Sequence, residues 1–339
     1  MTRTKPIKTV TVLAQSLQPL ARSAAHDKRF PALETLFFRG SHFGMESKSP
    51  DHFRFKLFGI EAEGELPIAA LTRASDQRQK PGGHQYWLRL DPVTLVADMT
   101  RVVMTSHGFA DLDEFERNEV ANVVCSILRE EGIVLASDHP ERWCIALGEP
   151  LNFDFTRLED ALGMDLAEVL PEQPESLRWR RIMSEIQIAL HASPVNVRRR
   201  LNGRQVINSV WFWGGGFLPN AGKQGVLNTV YSDNPVTRGL AIISNCQLRK
   251  QAQAEEVKFS QDGQAILVDW TVSSCNPEQE LDFLERLIRR LLGHVRDGSI
   301  ELVFYCGNSE GWRYSRSSGR RFWRRRHPLN KISFSSLPA

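Results

Sequence analysis

The residue types in this chain best suited to chemistry are those that bind anions. Asn196, Arg199 and Asn208 bring two carboxamides and a guanidinium close to three consecutive glycines, Gly214, Gly215 and Gly216. A guanidinium meets a phosphate or carboxylate through paired N–H donors. Successive glycine amides can turn toward an anion because no Cβ restricts their backbone angles. These six residues are the candidate ligand contacts, and a phosphorylated small molecule is the ligand class they suit. Each also has a structural alternative. Asn196 can cap a helix, Asn208 can bond neighbouring backbone, Arg199 can be one of three solvated arginines, and the glycines can form a tight turn packed under the tryptophans Trp211 and Trp213.

The elements that must hold these residues can be read from periodicity. Val206, Ile207, Val210, Trp211, Phe212 and Trp213 form a short run rich in β-branched and aromatic residues, bounded by glycine on both sides, which predicts a buried strand. A glycine turn just past the carboxyl end of a strand is where open α/β sheets place ligands. The strand ends at Val12, Trp213 and Tyr231 decide the matter: a pocket among them leaves room for a small molecule, and a filled, apolar interior leaves little. Two helices lead into the strand. The first, over 176–191, has Leu177, Ile182, Met183, Ile186, Ala189 and Leu190 on one face; the second begins at Pro194 and stops at Gly203.

Further strands are predicted over 7–13, 86–90, 101–105, 133–136, 143–147, 226–231, 265–272 and 300–306, and further helices over 113–131, 235–243 and 277–295. Residues 41–85 read as irregular, with an apolar cluster at Phe53, Phe55, Leu57 and Phe58. Strands and helices alternate in the second half, which predicts a mostly parallel sheet with helices on its faces. The expected organisation is 1–85 as the N-terminal part of an α/β core, 86–175 as an inserted α+β subdomain, and 176–339 as the rest of the core with a basic, aromatic tail.

Other chemistries find little support. The five cysteines are scattered and form no CxxC pair, so neither a disulfide framework nor a zinc site is indicated; they read as reduced, buried small hydrophobes of a cytoplasmic protein. Asp138 and His139 fall in a predicted hairpin turn ahead of Pro140, where a solvated turn is the simpler reading than a metal site. GFLPNAGKQ (216–224) resembles a phosphate loop, but its spacing is one residue too long and Gln224 stands where a magnesium-binding Ser or Thr is needed. No cofactor and no metal are expected. No apolar run approaches the ~20 residues that span a bilayer, and the polar interruptions of the N-terminal segment argue against export.

Net charge is +3, yet the arginines cluster. In the tail, Trp312, Tyr314, Phe322 and Trp323 interleave with seven arginines, and Arg320, Arg321, Trp323 and Arg324 are candidate contacts to nucleic acid, since that mixture can stack on bases and neutralise phosphates. The alternative is that the aromatics pack onto the domain while the arginines stay solvated.

The segment LHASPVNVRRRLNGRQVINSVWFWGGG resembles the H-x-x-N-x-x-R, G, N and W-x-G-x-G pattern of archaeal-type cofactor-independent phosphoglycerate mutases. It is similar also to bacterial RpfE-type regulatory proteins, which share the W-x-W-G-G-G ending. The matching positions are His191, Pro194, Val195, Asn196, Arg199, Gly203, Asn208, Trp211, Trp213 and Gly214 to Gly216, with Arg238, Gly239, Leu240 and Ala241 further on. The resemblance implies an alkaline-phosphatase-like α/β fold, with a mixed or mostly parallel sheet, helices on both faces and an inserted α+β subdomain. It also implies two divalent metals held by Asp and His, and a Ser or Thr nucleophile behind an Asp-Gly that ends the first strand. Here that strand ends VTVLAQSLQP, without a carboxylate, and no Asp-x-x-x-His or Asp-Gly-x-x-His occurs in the C-terminal half. The expected function is that of a catalytically degenerate mutase-like protein with a regulatory or ligand-binding role and a possible protein partner. The alternatives are an active phosphomutase or phosphatase, and polyanion binding through the tail.

Overall fold

Five parallel strands form the centre of one half of this protein. The computed structural model describes residues 8–23, 28–44, 47, 49–62, 64–79, 84–221, 227–257, 265–307, 310–324 and 327–329. The chain divides into two compact units, Met1–Glu61 with Asn220–Ala339, and Ala62–Pro219. It starts in the first with β1 (Lys8–Leu13), α1 (Leu17–Ser23), α2 (Pro31–Arg39), β2 (Ser41–Gly44) and α3 (Pro50–Leu57). It then builds the second from α4 (Ile68–Gln77), β3 (Tyr86–Ala97), β4 (Val102–His107), α5 (Glu114–Glu130), β5 (Leu135–His139), β6 (Arg142–Leu147), the single turns α6 (Leu158–Ala161) and α7 (Leu166–Val169), α8 (Leu177–His191), α9 (Pro194–Leu201) and β7 (Ser209–Phe217). It returns to the first with β8 (Thr229–Ser232), α10 (Pro235–Ile243), β9 (Gln247–Arg249), β10 (Ile266–Asp269), α11 (Pro277–Arg296), β11 (Ile300–Cys306) and β12 (Glu310–Tyr314).

The first unit is a mixed α/β fold. Its seven-stranded sheet has the order β2-β12-β11-β1-β10-β8-β9. The strands from β11 to β9 run parallel, and β12 and β2 complete one edge antiparallel. Strand residues alternate between faces. Val10, Val12, Ile266, Val268, Leu302 and Phe304 enter a core shared with α1, α2 and α11. Thr11, Leu13, Leu267 and Asp269 face the other side, where α10 packs on β8 and α3 packs on α10. Helix α11 buries Leu281, Leu284, Ile288, Leu291, Leu292 and Val295 at three- and four-residue spacing, and Asn276 caps it by accepting the Glu278 amide. Helix α2 begins at Phe30, which has no capping side chain. Glu285 of α11 supplies the cap, taking the Ala32 and Leu33 amides at 2.9 and 3.1 Å.

The second unit is α+β. Its sheet runs β4-β3-β6-β5, with β7 pairing β3 along the other edge, and all pairs are antiparallel. Helix α5 starts in a reciprocal capping box of Asp113 and Glu116. Helix α8 packs on β7 and α5, placing Trp179 edge-on to Phe212 at 4.9 Å.

Several expectations change. The second unit takes in residues 62–85 and 176–219, which the sequence reading gave to the core. Residues 41–85, expected to be irregular, hold β2, α3 and α4, and β3 continues through DPVTLVA rather than ending at Leu90. Strand β7 lies in the antiparallel sheet of the second unit, so Trp213 is not a carboxyl end of the parallel sheet alongside Val12 and Tyr231. Among the described residues, no helix is long and apolar enough to cross a membrane.

Candidate functional site

The three glycines belong to strand β7 itself and do not form a turn beyond it. Gly214 has φ 65°, and an added Cβ there would meet the Ile68 Cβ at 2.9 Å. A Cβ on Gly215 would meet the Tyr86 hydroxyl at 2.5 Å, and one on Gly216 would meet Pro67 at 2.7 Å. The missing side chains therefore admit the start of α4 and the Tyr86 ring, which corrects the expectation of a ligand at this place. A carboxyl group nevertheless occupies the place. Glu65 accepts the Gly214 amide, and the amides of Gly215 and Phe155 also bond it. Burial pushes its carboxyl up to about 7, against the pull of those amides and with a further push from Asp154. The backbone cradle that suits a phosphate is filled by the chain's own carboxyl group.

The three polar candidates are likewise taken up by the fold. Asn196 is fully buried; its amide donates to Leu190 O at 2.8 Å and Ile207 O at 2.6 Å, while Oδ1 accepts the Ile207 amide at 2.9 Å. This ties the α8–α9 junction to the approach to β7. Asn208 bonds both backbone groups of Leu95, at 2.8 and 2.7 Å, imitating a rung of the ladder. Arg199 is 1% exposed and bonds Glu116 at 2.8 Å, the Gln205 carbonyl at 2.6 Å and the Asp111 carboxylate. Arg204 and Arg199 together hold Asp111 below the usual carboxylate range. These side chains, expected as anion contacts, have their donors engaged within the second unit.

The first unit has a polar site at the carboxyl ends of its parallel strands. Asp269 ends β10 beside Ser232, which ends β8, and both are fully buried. Arg54, on α3 and 4% exposed, reaches them with Nε 3.0 Å from one Asp269 oxygen and Nη2 3.3 Å from the other. Its Nη1 bonds Asp51 at 3.0 Å, and the Thr237 hydroxyl, in the first turn of α10, bonds both Arg54 Nε and Asp269. The cluster follows from local sequence. Ser49 caps α3 with Pro50 at its first position, so Asp51 and Arg54 stand three apart on one face. Asn234 caps α10 by accepting the Val236 and Thr237 amides, which fixes the Thr237 hydroxyl.

A divalent metal does not fit this donor set. Both Asp269 oxygens are bonded to a guanidinium whose charge would repel the ion, and among the described residues no three His, Cys, Asp or Glu side chains are grouped to hold one. A small open cavity of about 400 Å³ lies elsewhere, between α5 and the β5–β6 hairpin, bordered by Glu114, Arg117, Asn118 and Trp143. The cysteines are free; Cys144 and Cys306 are buried as expected, whereas Cys275 is exposed. In the tail, Trp312 and Tyr314 are buried in β12, while Phe322 and Trp323 are exposed. Sequence reasoning missed Arg54 and Asp269. The available signal was a charged residue closing an otherwise apolar strand, Ile266 to Asp269.

No protein-family model matches the chain, and no curated protein does. Solved structures do. A Pyrococcus horikoshii protein aligns over 91% of this chain and 88% of its own, at 13% identity and a TM-score of 0.53. The cofactor-independent phosphoglycerate mutase from Thermoplasma acidophilum aligns over 98% and 96%, at 16% identity and a TM-score of 0.48. At such identities the likeness concerns the fold alone.

Proposed function

We propose that this chain is a phosphoglycerate-mutase-like protein of the alkaline-phosphatase superfamily in which metal-dependent phosphotransfer has given way to a regulatory or ligand-binding role in the cytosol. The observation that carries this reading is Arg54, buried against Asp269 where open α/β sheets place their chemistry. A divalent ion does two things at such a place: it neutralises charge, and through open coordination positions it activates a bound water or hydroxyl. A guanidinium does the first and cannot do the second, because it is permanently protonated and has no vacant position for an oxygen. Membership in the superfamily is supported by the pattern from His191 to Gly216 and by Arg238 to Ala241. The rival reading is an active phosphomutase or phosphatase that uses other residues.

Metal analysis of the purified protein, paired with mutase and phosphatase assays in manganese, zinc and magnesium, separates the two. The expected result is metal far below one ion per chain and no turnover of phosphoglycerate or of an aryl phosphate. Stoichiometric manganese or zinc with turnover overturns the reading. The ligand-binding arm is checked by thermal shift with phosphorylated three-carbon acids, where saturable stabilisation supports it.

A further inference from the structure

The segment after β12 is pinned at several points. Ser318 is buried, the Arg321 guanidinium bonds the carbonyls of Arg39 and Gly40 and the Ser41 hydroxyl, the His327 ring lies 5.3 Å from Phe38, and Leu329 enters the core. Between these anchors Phe322 and Trp323 are 76% and 66% exposed, their rings edge to face at 5.5 Å. Adjacent large aromatics on a solvent-facing segment leave apolar area in water that burial would remove, at a point the chain holds firmly. Around them Arg316, Arg320 and Arg324 are exposed, and among the described residues none of the three is ion-paired. Beneath the segment, Arg39 Nε and the Tyr314 hydroxyl are buried and have no hydrogen-bond partner among the described residues, and a Cβ on Gly319 would lie 3.6 Å from that hydroxyl. Exposed rings and unpaired cations thus gather on one short stretch of the first unit.

We propose that this stretch is a binding surface for single-stranded nucleic acid, with Phe322 and Trp323 stacking on bases and Arg320 and Arg324 contacting phosphates. The combination of features selects this partner. A guanidinium cluster alone would serve any polyanion, but the two rings are used only if the partner offers flat faces, and a duplex keeps its base faces stacked inside. A bilayer interface would call for an amphipathic helix with a continuous apolar side, whereas Ser318–Arg320 is one turn of 3-10 helix followed by irregular chain. Arg321 is spent on the Arg39 and Gly40 carbonyls and acts as a positioning residue that sets the height of its neighbours.

The test is fluorescence anisotropy of labelled oligo-dT and oligo-U of about fifteen nucleotides with the full chain, from low to physiological salt. Binding is expected, with an affinity that falls with salt at a log–log slope of roughly −1.5 to −2, the value for two or three neutralised phosphates on a single strand. Trp323→Ala and Phe322→Ala should each weaken binding roughly ten- to a hundredfold. Both residues are exposed, so an unchanged melting temperature shows that the loss is one of contact. Arg324→Glu should abolish binding at moderate salt, while Arg324→Lys should retain most of it. A duplex of the same length and anionic phosphatidylserine vesicles serve as competitors. No binding at low salt overturns the proposal. So does equal competition by duplex or vesicles, and so does affinity indifferent to Trp323→Ala, which would leave a nonspecific basic surface.

Discussion

Truncating Arg54 would strand a buried carboxylate. Asp269 is fully buried and both its oxygens bond the guanidinium, so Arg54→Ala leaves a charge that water cannot reach. Losing one partner of a buried pair costs about 3–5 kcal/mol. The urea midpoint of the variant should fall accordingly, and Arg54→Met combined with Asp269→Asn should recover most of the loss, because the fully buried carboxylate is gone and only Asp51, whose side chain is partly exposed, is deprived of the guanidinium. A fall below about 1 kcal/mol in the single variant would mean that the pair behaves as a solvated surface contact. Glu65 makes a second prediction, this time in pH. Its folded pKa, about 7, lies above the reference value of 4.5. The folded state therefore holds the proton more tightly, and the stabilising contribution is complete below about pH 4.5 and is lost as pH rises toward 7. The full effect is on the order of 3 kcal/mol, from roughly 1.4 kcal/mol per unit. Glu65→Gln should remove that slope, so wild-type and variant stabilities, measured by urea titration from pH 4 to 8, should diverge progressively with the variant ahead at the alkaline end. Parallel curves would place Glu65 in water.

Among elements, opposite signs are expected at two glycines. Gly214→Ala forces a left-handed backbone on an alanine, worth about 1–2 kcal/mol, and drives its methyl within 2.9 Å of Ile68. It should destabilise by at least about 2 kcal/mol once overpacking is added. Gly293, inside α11, would set its Cβ in open space, so Gly293→Ala should stabilise by about 0.5–1 kcal/mol. Urea midpoints of the two variants check both, and a gain at Gly214 would remove the packing argument for β7. The contrast also marks what sequence could reveal. Helices α5, α8 and α11 were legible because each carries a long apolar stripe and a clear stop. Helices α3 and α4 were not. The first is eight residues long with phenylalanines two apart, which imitates a strand, and the second, IAALTRASDQ, follows Pro67 without a capping side chain and has small residues in place of a stripe. Those two helices form both sites: α3 carries Arg54 and α4 presses on the glycines. The partners of Asn196, Arg199 and Asn208 include Leu95, Asp111, Glu116 and Ile207, and the pairings of Arg199 with Glu116 and of Asn208 with Leu95 join residues far apart in the chain, which local periodicity does not reveal.

For the whole molecule, the internal cation predicts indifference to metal. A chelator such as EDTA in excess should leave the melting temperature unchanged, and millimolar manganese should not raise it, since binding to the folded state alone would do so by mass action. A chelator-induced drop of several degrees would show that a structural ion is present. The parallel sheet was predictable from the alternation of strands and helices in the second half of the chain. The true partition was not, because nothing in composition marks Glu61 or Asn220 as a boundary. The glycine strand gains a different meaning from that partition. The second unit begins at Ala62 and ends at Pro219, and the close contacts of Glu65, Pro67 and Ile68 with Gly214 and Gly216 join its first residues to its last. The neck of the insertion is thereby clasped shut. For the rest of the chain, a folded insertion with its ends held together acts as a short loop, so that the entropy of joining the strands before Glu61 to those after Asn220 depends on the width of the clasp instead of the length of what it encloses. A substitution that opens the clasp would slow assembly of the parallel sheet.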